Sequence, residues 1–178
     1  MKHPVIWKPE RLWTETDHPV LYIFSGLPGT GKTTLARNLS SILKAVYLRM
    51  DTIEQGIMDL CKFNVQGEGY RLAYKIIEDN LKTGNSIISD QCNPWKLTRN
   101  EFKNTAIENN CAYVNIEIIC SNREEHKRRI ENRKFPPWEA INKWNYESWD
   151  EEHIIIDTAN RTIEACTKEL IEKLNTET

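Results

Sequence analysis

From residue 20 onward, short apolar runs alternate with segments that repeat apolar residues at helical spacing. Five apolar runs have the length of buried strands and occupy 20–25, 45–50, 86–89, 112–120 and 153–156. Strands separated by helices are typical of a parallel sheet, because each connection must cross back over the sheet. The pattern therefore predicts an α/β domain over residues 20–178.

The segments between these runs predict helices with recognisable ends. Apolar faces are expected in the first helix (Leu35, Leu39, Ile42, Leu43), the second (Tyr70, Tyr74, Ile77, Leu81) and the last (Ile163, Leu170, Ile171, Leu174). Gly84 is expected to end the second of these helices. Asn93 followed by Pro94 indicates another helix start, and Ser121 with Glu124 indicates a capping box before a further helix.

Two segments fall outside this alternation. Residues 1–19 contain three prolines and two tryptophans, which favours an arm packed on the domain. The segment at about 134–150, between the fourth and fifth strands, is expected to form a small lid. Its tryptophans, Trp138, Trp144 and Trp149, either pack the lid or stack on a bound ring.

Composition narrows the class of protein. A chain of 178 residues with a net charge of −2 fits one domain and has no global excess of charge for nucleic acid or a membrane surface. No apolar run approaches the roughly 20 residues needed to span a bilayer, and the first 19 residues are too polar for a signal peptide, so we expect a cytoplasmic protein. The five cysteines and four histidines are dispersed, which argues against a zinc site.

Residues 26–33 carry the clearest chemical signature. They satisfy the pattern G-x-x-x-x-G-K-[ST], directly after a predicted strand and at the start of a predicted helix. Backbone N–H groups of such a loop bind phosphates, aided by the positive end of the helix dipole. We expect Lys32 to reach the β- and γ-phosphates, Thr33 to bind Mg²⁺ and Thr34 to contact the α-phosphate. The other residues expected to contact the nucleotide are Gly26, Leu27, Pro28, Gly29, Thr30 and Gly31.

The base of this nucleotide is expected to be adenine. GTP-binding proteins of this type carry an N-K-x-D motif after the fourth strand. The sequence Cys-Ser-Asn-Arg stands at 120–123 instead. ATP is therefore favoured over GTP.

Two acidic residues follow predicted strands that end at the same edge of the sheet. Because the carboxyl ends of parallel strands converge on the ligand crevice, Asp51 is expected to face the γ-phosphate and to act as a base or bind the acceptor. A helix cap is the alternative for Asp51. Asp90 is the candidate for holding Mg²⁺ through water, with a turn as the alternative. Further candidates for binding the acceptor are Gln91, Asn93 and Arg99.

The helix predicted at 122–134 is strongly basic. Glutamates four residues before Arg128 and Arg129 explain part of this charge as ion pairs on a solvated face. Arg133 has no acidic residue at that spacing and shares a face with Arg129. Two stacked cations repel each other unless an anion lies between them, so we expect Arg129 and Arg133 to bind phosphate.

These motifs resemble the P-loop small-molecule and nucleotide kinases, the broad group of adenylate, gluconate and shikimate kinases. The resemblance is strongest to the relatives near chloramphenicol phosphotransferase, polynucleotide kinase and zeta toxins, and it covers about residues 20–174. It implies a three-layer P-loop NTPase fold with sheet order 2-3-1-4-5, ATP and Mg²⁺ as ligands, and Asp51 as the base. It also implies Arg129 against adenine or phosphates, Arg133 on the γ-phosphate, and a loop bordering adenine that contains Asp157, Thr158 and Asn160.

Three functions remain open from the sequence. The first is an ATP-dependent kinase that phosphorylates a hydroxyl or phosphate of a small-molecule or nucleotide acceptor. The second is a kinase of nucleic-acid 5′ ends, favoured by the basic helix and opposed by the near-neutral net charge. The third is a non-catalytic module that binds ATP.

Overall fold

The computed structural model describes residues 18–132 and 137–176, and these are built around a five-stranded parallel sheet. The strands run in the order β2-β3-β1-β4-β5. They are β1 (Val20–Ser25), β2 (Val46–Arg49), β3 (Ile87–Asp90), β4 (Ala112–Ile119) and β5 (Ile154–Asp157). The predicted α/β class and the sheet order 2-3-1-4-5 are therefore confirmed. Residues 1–17, which make up nearly all of the predicted arm, lie outside the described residues.

Helices cover both faces of this sheet and give three layers. They are α1 (Lys32–Leu43), α2 (Met50–Cys61), α3 (Glu68–Lys82), α4 (Lys96–Glu108), α5 (Arg123–Glu131), α6 (Trp138–Ile141) and α7 (Ile163–Thr176). Successive side chains of a strand point to opposite faces. In β1, Leu21 and Ile23 pack with α3 and α4, whereas Phe24 packs with α1 and α7. Both faces are buried, which explains the near-continuous apolar runs of the strands.

The helix caps predicted at Asn93 and Ser121 are wrong by two residues and by one residue, respectively. The backbone of Asn93 has a φ of 51°, its Nδ2 donates to Oγ of Ser25 at 3.2 Å, and α4 begins only at Lys96. Asn93 therefore ties two strand ends together instead of capping a helix. The cap of α5 is Asn122, whose Oδ1 accepts from the N–H of Glu125 at 3.0 Å. Its amide oxygen fills the role that the capping-box pattern assigned to Ser121.

The apolar faces predicted for the first and last helices are buried only in part. Leu35, Leu39 and Leu170 are buried, but Ile42, Leu43 and Ile163 are exposed. The exposed positions lie at the end of α1 and at the start of α7. Spacing alone identifies the face but not how far along it the partner layer reaches.

A segment between α6 and β5 crosses the carboxyl-end edge of the sheet. We name residues 142–153 the strap. The N–H of Glu147 donates to the carbonyl of Pro94 at 2.9 Å, and Oε2 of Glu147 accepts from the N–H of Lys96 at 2.6 Å. The strap is thereby fixed to the start of α4. It forms the described part of the predicted lid together with α6, whereas residues 133–136 lie outside the described residues.

Candidate phosphate and acceptor site

The loop between β1 and α1 has the backbone geometry of a phosphate cradle. Gly26, Gly29 and Gly31 all have positive φ angles, and a Cβ atom on Gly26 would lie 2.2 Å from the carbonyl oxygen of Ile118. Only glycine fits at that point, because no side chain can share the space of a backbone carbonyl. The N–H of Gly26 donates to the carbonyl of Cys92 at 3.0 Å, so the loop is also joined to the segment after β3.

The opposite side of the loop is held by α5 and by the segment after β5. Nε2 of His126 lies 2.7 Å from the carbonyl oxygen of Pro28, and the hydroxyl of Thr158 donates to the carbonyl of Thr30 at 2.7 Å. The side chain of Ile130 packs under Gly29, because a Cβ atom added to Gly29 would lie 2.5 Å from its Cδ1. The cradle is therefore fixed on several sides before any ligand binds.

Lys32 begins α1 and has an ammonium group without a partner in the described part of the chain. The residue is only 7% exposed, and no hydrogen bond or ion pair to its side chain occurs among residues 18–132 and 137–176. Most of the residue is enclosed, but it lines the adjacent cavity, so a ligand in that cavity can reach its positive charge. At the N-terminus of a helix, inside a loop of inward-facing N–H groups, such a cation is suited to bind an anion.

A cavity of about 840 Å³ opens next to this lysine. It lies at the carboxyl ends of β2 and β3, between the start of α1 and helix α2. The cavity is lined on one side by Lys32, Thr33 and Pro28, and on the other by polar and acidic residues. These are Arg49, Asp51, Thr52, Glu54, Gln55, Asp59, Asp90 and Gln91, accompanied by Gly56, Met58, Cys92 and Trp144.

Asp90 lies at the end of β3 and is buried in the wall of this cavity. Its Oδ2 accepts a hydrogen bond from the hydroxyl of Tyr47 at 2.7 Å and lies 4.0 Å from Nε of Arg49. Burial and the neighbouring Asp90 carboxylate raise the pKa of Tyr47, which keeps this hydroxyl protonated as a donor. From the adjacent strand, Tyr47 thus orients Asp90 by a hydrogen bond and Arg49 adds a positive charge nearby.

Asp51 lies in the first turn of α2 at the mouth of the same cavity. Its side chain is 64% exposed, and Oδ2 accepts from Nη2 of Arg49 at 2.5 Å. The helix begins at Met50, so Asp51 is not its cap, and the alternative role predicted for it is wrong. Its carboxylate is open to a ligand and is oriented by one guanidinium.

The acidic residues of the cavity affect the pKa values of Glu54 and Cys92. Burial, followed by the charge of Asp51, raises the pKa of Glu54. Burial also raises the pKa of the Cys92 thiol, and the nearby carboxylates add to this effect while Lys32 opposes it. The cavity is therefore rich in negative charge on the side away from the cradle.

A second cavity of about 370 Å³ lies on the other side of the P-loop. Among its lining residues are Gly29, Gly31, Thr34, Arg129, Thr158 and Arg161. The guanidinium of Arg129 donates to the hydroxyl and the carbonyl of Thr158 at 2.8 and 2.9 Å and to Oε1 of Glu125 at 2.7 Å. The i,i+4 ion pair expected for a solvated face is present, and Arg129 also joins α5 to the loop after β5. Arg133 lies outside the described residues.

The loop after β5 is ordered by its own hydrogen bonds. Oδ1 of Asp157 accepts from the N–H groups of Ser121 and Ala159, both at 3.0 Å. Burial tends to raise the pKa of Asp157, but these donors outweigh it and lower the pKa. The N–H of Asn160 donates to Oε2 of Glu125 at 2.7 Å. The loop predicted to border the base thus lines one wall of the smaller cavity through Thr158.

The structure brings most of the predicted acceptor residues together, but not all. Asp51, Asp90 and Gln91 line the larger cavity, whereas Asn93 and Arg99 do not appear in its lining. The guanidinium of Arg99 is buried and donates to backbone carbonyls on both sides of it, including those of Asn93 at 3.0 Å and Glu147 at 2.6 Å. Its contacts assign Arg99 to holding the strap. The rings of Trp149 and Tyr146 lie 4.2 and 4.9 Å from its central carbon and complete its surroundings.

Sequence reasoning missed Arg49 and Glu54 in the larger cavity. Arg49 precedes Asp51 by two positions, a signal that marks it as a strand-end residue near the same edge. Glu54 follows Asp51 by one helical turn and therefore lies on the same face of α2. Trp144 was foreseen only as one of three lid tryptophans. Of these, Trp138 packs edge-to-face on His126 at 5.2 Å and Trp149 stacks on His153 at 4.1 Å, leaving Trp144 as the one that lines the cavity.

The residues near Lys32 fit a magnesium ion of the P-loop type. No group of three or more His, Cys, Asp or Glu side chains positioned to hold a metal occurs among residues 18–132 and 137–176. Magnesium bound with a nucleotide needs few protein ligands, because phosphates and water supply most of its six oxygens. The Thr33 hydroxyl and the buried Asp90 carboxylate line the same cavity and offer such a site. Over the same described ranges, no helix is both long and apolar enough to cross a membrane.

Comparisons with known proteins agree with this geometry. A family model described as an AAA domain matches residues 21–147. The chain resembles the solved structure of the protein APE1195, with 22% identity and a TM-score of 0.71 over 90% of this chain and 96% of that one. It also resembles the Mycobacterium tuberculosis APS kinase CysC in complex with AMPPNP and APS, with 15% identity and a TM-score of 0.69 over 89% and 98% of the two chains.

A gluconokinase from Sinorhizobium meliloti 1021 has the same arrangement, with 11% identity and a TM-score of 0.62 over 91% of this chain and 98% of that one. Identities this low indicate a common fold. They confirm the resemblance to the P-loop small-molecule and nucleotide kinase group as a resemblance of structure. The match over residues 21–147 shows that the chain belongs to the AAA domain family, on a fold that it shares with the P-loop kinases.

Proposed function

We propose that the protein is an ATP-dependent phosphotransferase that moves the γ-phosphoryl group of ATP to a small-molecule or nucleotide acceptor bound in the larger cavity. The observation that carries the proposal is the buried, unpaired Lys32, which lines one cavity together with Asp51 and Asp90. A phosphate-binding cation and two carboxylates around one space are the parts that phosphoryl transfer requires. The likeness to an APS kinase and a gluconokinase supports the same reaction class.

The donor half of the site consists of the P-loop. Inward-facing N–H groups and Lys32 bind the phosphates and stabilise the negative charge of the transition state. The hydroxyl of Thr33 and, through water, the carboxylate of Asp90 hold Mg²⁺. When bound, Mg²⁺ neutralises charge on the β- and γ-phosphate oxygens. Tyr47 keeps Asp90 oriented for this role, and Arg49 adds a positive charge nearby.

The acceptor half is centred on Asp51. In-line transfer forms a bond between the acceptor oxygen and the γ-phosphorus as the bond from that phosphorus to the β,γ-bridging oxygen breaks, and ADP departs with the electron pair. Asp51 accepts the proton that the acceptor hydroxyl loses. The guanidinium of Arg49 holds the Asp51 carboxylate at the cavity mouth. Gln91, whose amide is buried in the cavity wall, is a further candidate for contact with the acceptor.

The smaller cavity accepts the adenosine end of the nucleotide in this proposal. Thr34 at its edge contacts the α-phosphate, and Arg129 packs against the base or the phosphates. The hydrogen-bonded loop after β5 borders the adenine base. It contributes Asp157, Thr158 and Asn160. Arg133 on the γ-phosphate remains a prediction from the sequence.

A panel of acceptors incubated with γ-labelled ATP tests the proposal. Mass spectrometry should find a product that has gained one phosphoryl group, in an amount equal to the ADP formed. ATP binding without transfer to any acceptor supports a non-catalytic module instead. Phosphorylation of a 5′-hydroxyl oligonucleotide with a steep loss of rate in salt supports a nucleic-acid kinase, because several phosphate contacts would release counterions.

A further inference from the structure

The lining of the larger cavity also carries information on the chemical class of the acceptor. We infer that the acceptor is a ring-bearing alcohol with a protonated amine, and not a phosphorylated or carboxylated compound. This inference rests on the proposed function, because it takes the larger cavity as the acceptor site.

Negative charge exceeds positive charge in the cavity lining. Four acidic residues line it, Asp51, Glu54, Asp59 and Asp90. Burial beside Asp51 raises the pKa of Glu54, so the other three carry most of the charge. Lys32 and Arg49 are its two cations. In the proposed function Lys32 serves the phosphates of the donor and Asp90 serves its Mg²⁺. One cation, Arg49, and three acidic residues therefore remain on the acceptor side.

Arg49 already faces two carboxylates of the protein, although its buried Nε has no hydrogen-bond partner among the described residues. Its Nη2 lies 2.5 Å from Oδ2 of Asp51, and its Nε lies 4.0 Å from Oδ2 of Asp90. An anionic acceptor would have to compete with both carboxylates for this one guanidinium while facing Glu54 and Asp59. Like charges in one cavity repel each other. The lining therefore disfavours a phosphate or carboxylate on the acceptor.

Helix α2 offers a place for a positive charge. One face of α2 lines the cavity with residues spaced by about one helical turn. They are Asp51, then Glu54 and Gln55, then Met58 and Asp59. Glu54 is partly buried beside Asp51, and both burial and that carboxylate oppose its ionisation. A protonated amine between these carboxylates would relieve their repulsion and form charge-assisted hydrogen bonds.

Trp144 gives a second and independent argument. It is the strap residue that lines the cavity, and it is 42% exposed although hydrogen bonds fix its backbone. Its N–H donates to the carbonyl of Ile141, and its own carbonyl accepts from the N–H of Tyr146, both at 3.0 Å. Met58 also lines the cavity and adds a polarisable apolar surface. A tryptophan face is the best aromatic partner for a cation and also stacks on rings.

Three compounds of one scaffold separate charge from shape. They are 2-amino-1-phenylethanol, 1-phenylethane-1,2-diol and mandelate, which share a ring and a hydroxyl and differ only in an ammonium, a hydroxyl or a carboxylate. Their dissociation constants are measured on the full chain with Mg²⁺ and a non-hydrolysable ATP analogue. The amine should bind about tenfold more tightly than the diol, and mandelate most weakly, with the gap narrowing at high salt.

Two variants, each with a control, test whether the residues of the cavity cause this order of affinities. Asp59→Asn should narrow the gap between amine and diol several-fold, whereas Glu108→Gln, at the exposed end of α4, should leave it unchanged. Trp144→Ala should weaken all three compounds, whereas Trp95→Ala, another exposed tryptophan outside the cavity, should not. Equal binding of amine and diol, tighter binding of mandelate, or no binding of the amine overturns the inference.

Turnover with ATP separates this inference from the proposed function. Selective binding of the amine with no phosphorylated product contradicts phosphoryl transfer and leaves the acceptor class standing. Transfer to mandelate in preference to the amine supports the kinase and overturns the acceptor class.

Discussion

Nη2 of Arg49 lies 2.5 Å from Oδ2 of Asp51, at the point where β2 passes into α2. The same guanidinium approaches Asp90 of the neighbouring strand. One arginine therefore joins the carboxylate proposed as the base to the carboxylate proposed near the metal. The two halves of the proposed site are coupled through a side chain that belongs to neither motif.

Asp51→Asn should separate catalysis from ATP binding. The amide keeps the shape of the side chain and a weaker contact with Arg49, but it cannot accept a proton. We expect kcat to fall by about 10²–10⁴-fold, the range of general-base contributions, while the Kd of ATP stays unchanged. Steady-state kinetics and ATP titration measure the two effects. Asp79→Asn, on the exposed face of α3, is the matched control, and a wild-type kcat in Asp51→Asn would exclude Asp51 as the base.

Gly26→Ala should damage the cradle more than its backbone angle alone explains. Gly26 and Gly84 both have positive φ angles, but an added Cβ meets the carbonyl oxygen of Ile118 at Gly26 and nothing within 4 Å at Gly84. In Gly84→Ala the unfolding free energy should therefore fall by only about 1 kcal/mol, the strain of a non-glycine residue in the left-handed conformation. Gly26→Ala should lose clearly more and also weaken ATP binding. Denaturant unfolding of both variants gives the comparison, and equal losses would show that the contact with Ile118 is unimportant.

Arg99→Lys should loosen the strap without removing a charge. A lysine ammonium cannot reproduce the planar fork that reaches the carbonyls of Asn93, Pro94 and Glu147. We expect a loss of about 2 kcal/mol in unfolding free energy and a higher KM for the acceptor, because Trp144 is then held less firmly. The Kd of ATP should not change. Arg71→Lys on the exposed side of α3 serves as control. If the acceptor KM stayed unchanged in Arg99→Lys, the strap would have no part in acceptor binding.

Glu117 should make stability depend on pH in the acid range. Burial tends to raise its pKa, but the surrounding polar groups, chiefly His153, whose Nε2 lies 3.1 Å from Oε2, outweigh burial and lower the pKa below the ordinary value of 4.5. The ionised form is therefore favoured in the folded state, and its contribution is present above pH 4.5 and is lost as pH falls through the lowered pKa.

Glu117→Gln removes this linkage. The variant should be less stable than wild type at neutral pH, and its unfolding free energy should fall less steeply below pH 4.5. Urea unfolding at a series of pH values measures the slope, with Glu108→Gln as an exposed control. If the unfolding free energy of wild type and Glu117→Gln fell with the same slope below pH 4.5, Glu117 would not be the group that causes the pH dependence.

The elements of the fold that depend on local pattern were predictable from the sequence. Apolar runs identify strands that are buried on both faces, and the G-x-x-x-x-G-K-[ST] motif identifies the turn from β1 into α1. The side chain of Asn93 depends instead on Ser25, which is distant in sequence but adjacent in the sheet. A local signature of a helix start cannot contain that contact.

The acceptor side was predictable only at the level of strand ends. Asp51 and Asp90 were found because parallel strands end at one edge. The role of Arg49 depends on β2 lying beside β3, and that of Arg99 depends on the strap folding back onto α4. Both arginines gain their roles from neighbours that chain order does not bring close.

Lys32 tests the central claim most directly. The measurement is phosphoryl transfer from γ-labelled ATP together with ATP affinity in wild type and Lys32→Ala. The account predicts that wild type binds ATP with Mg²⁺ and forms a phosphorylated product, whereas Lys32→Ala folds but binds ATP far more weakly and forms none, because the buried cation of the cradle is gone. Equal ATP affinity and equal product formation in Lys32→Ala would contradict it.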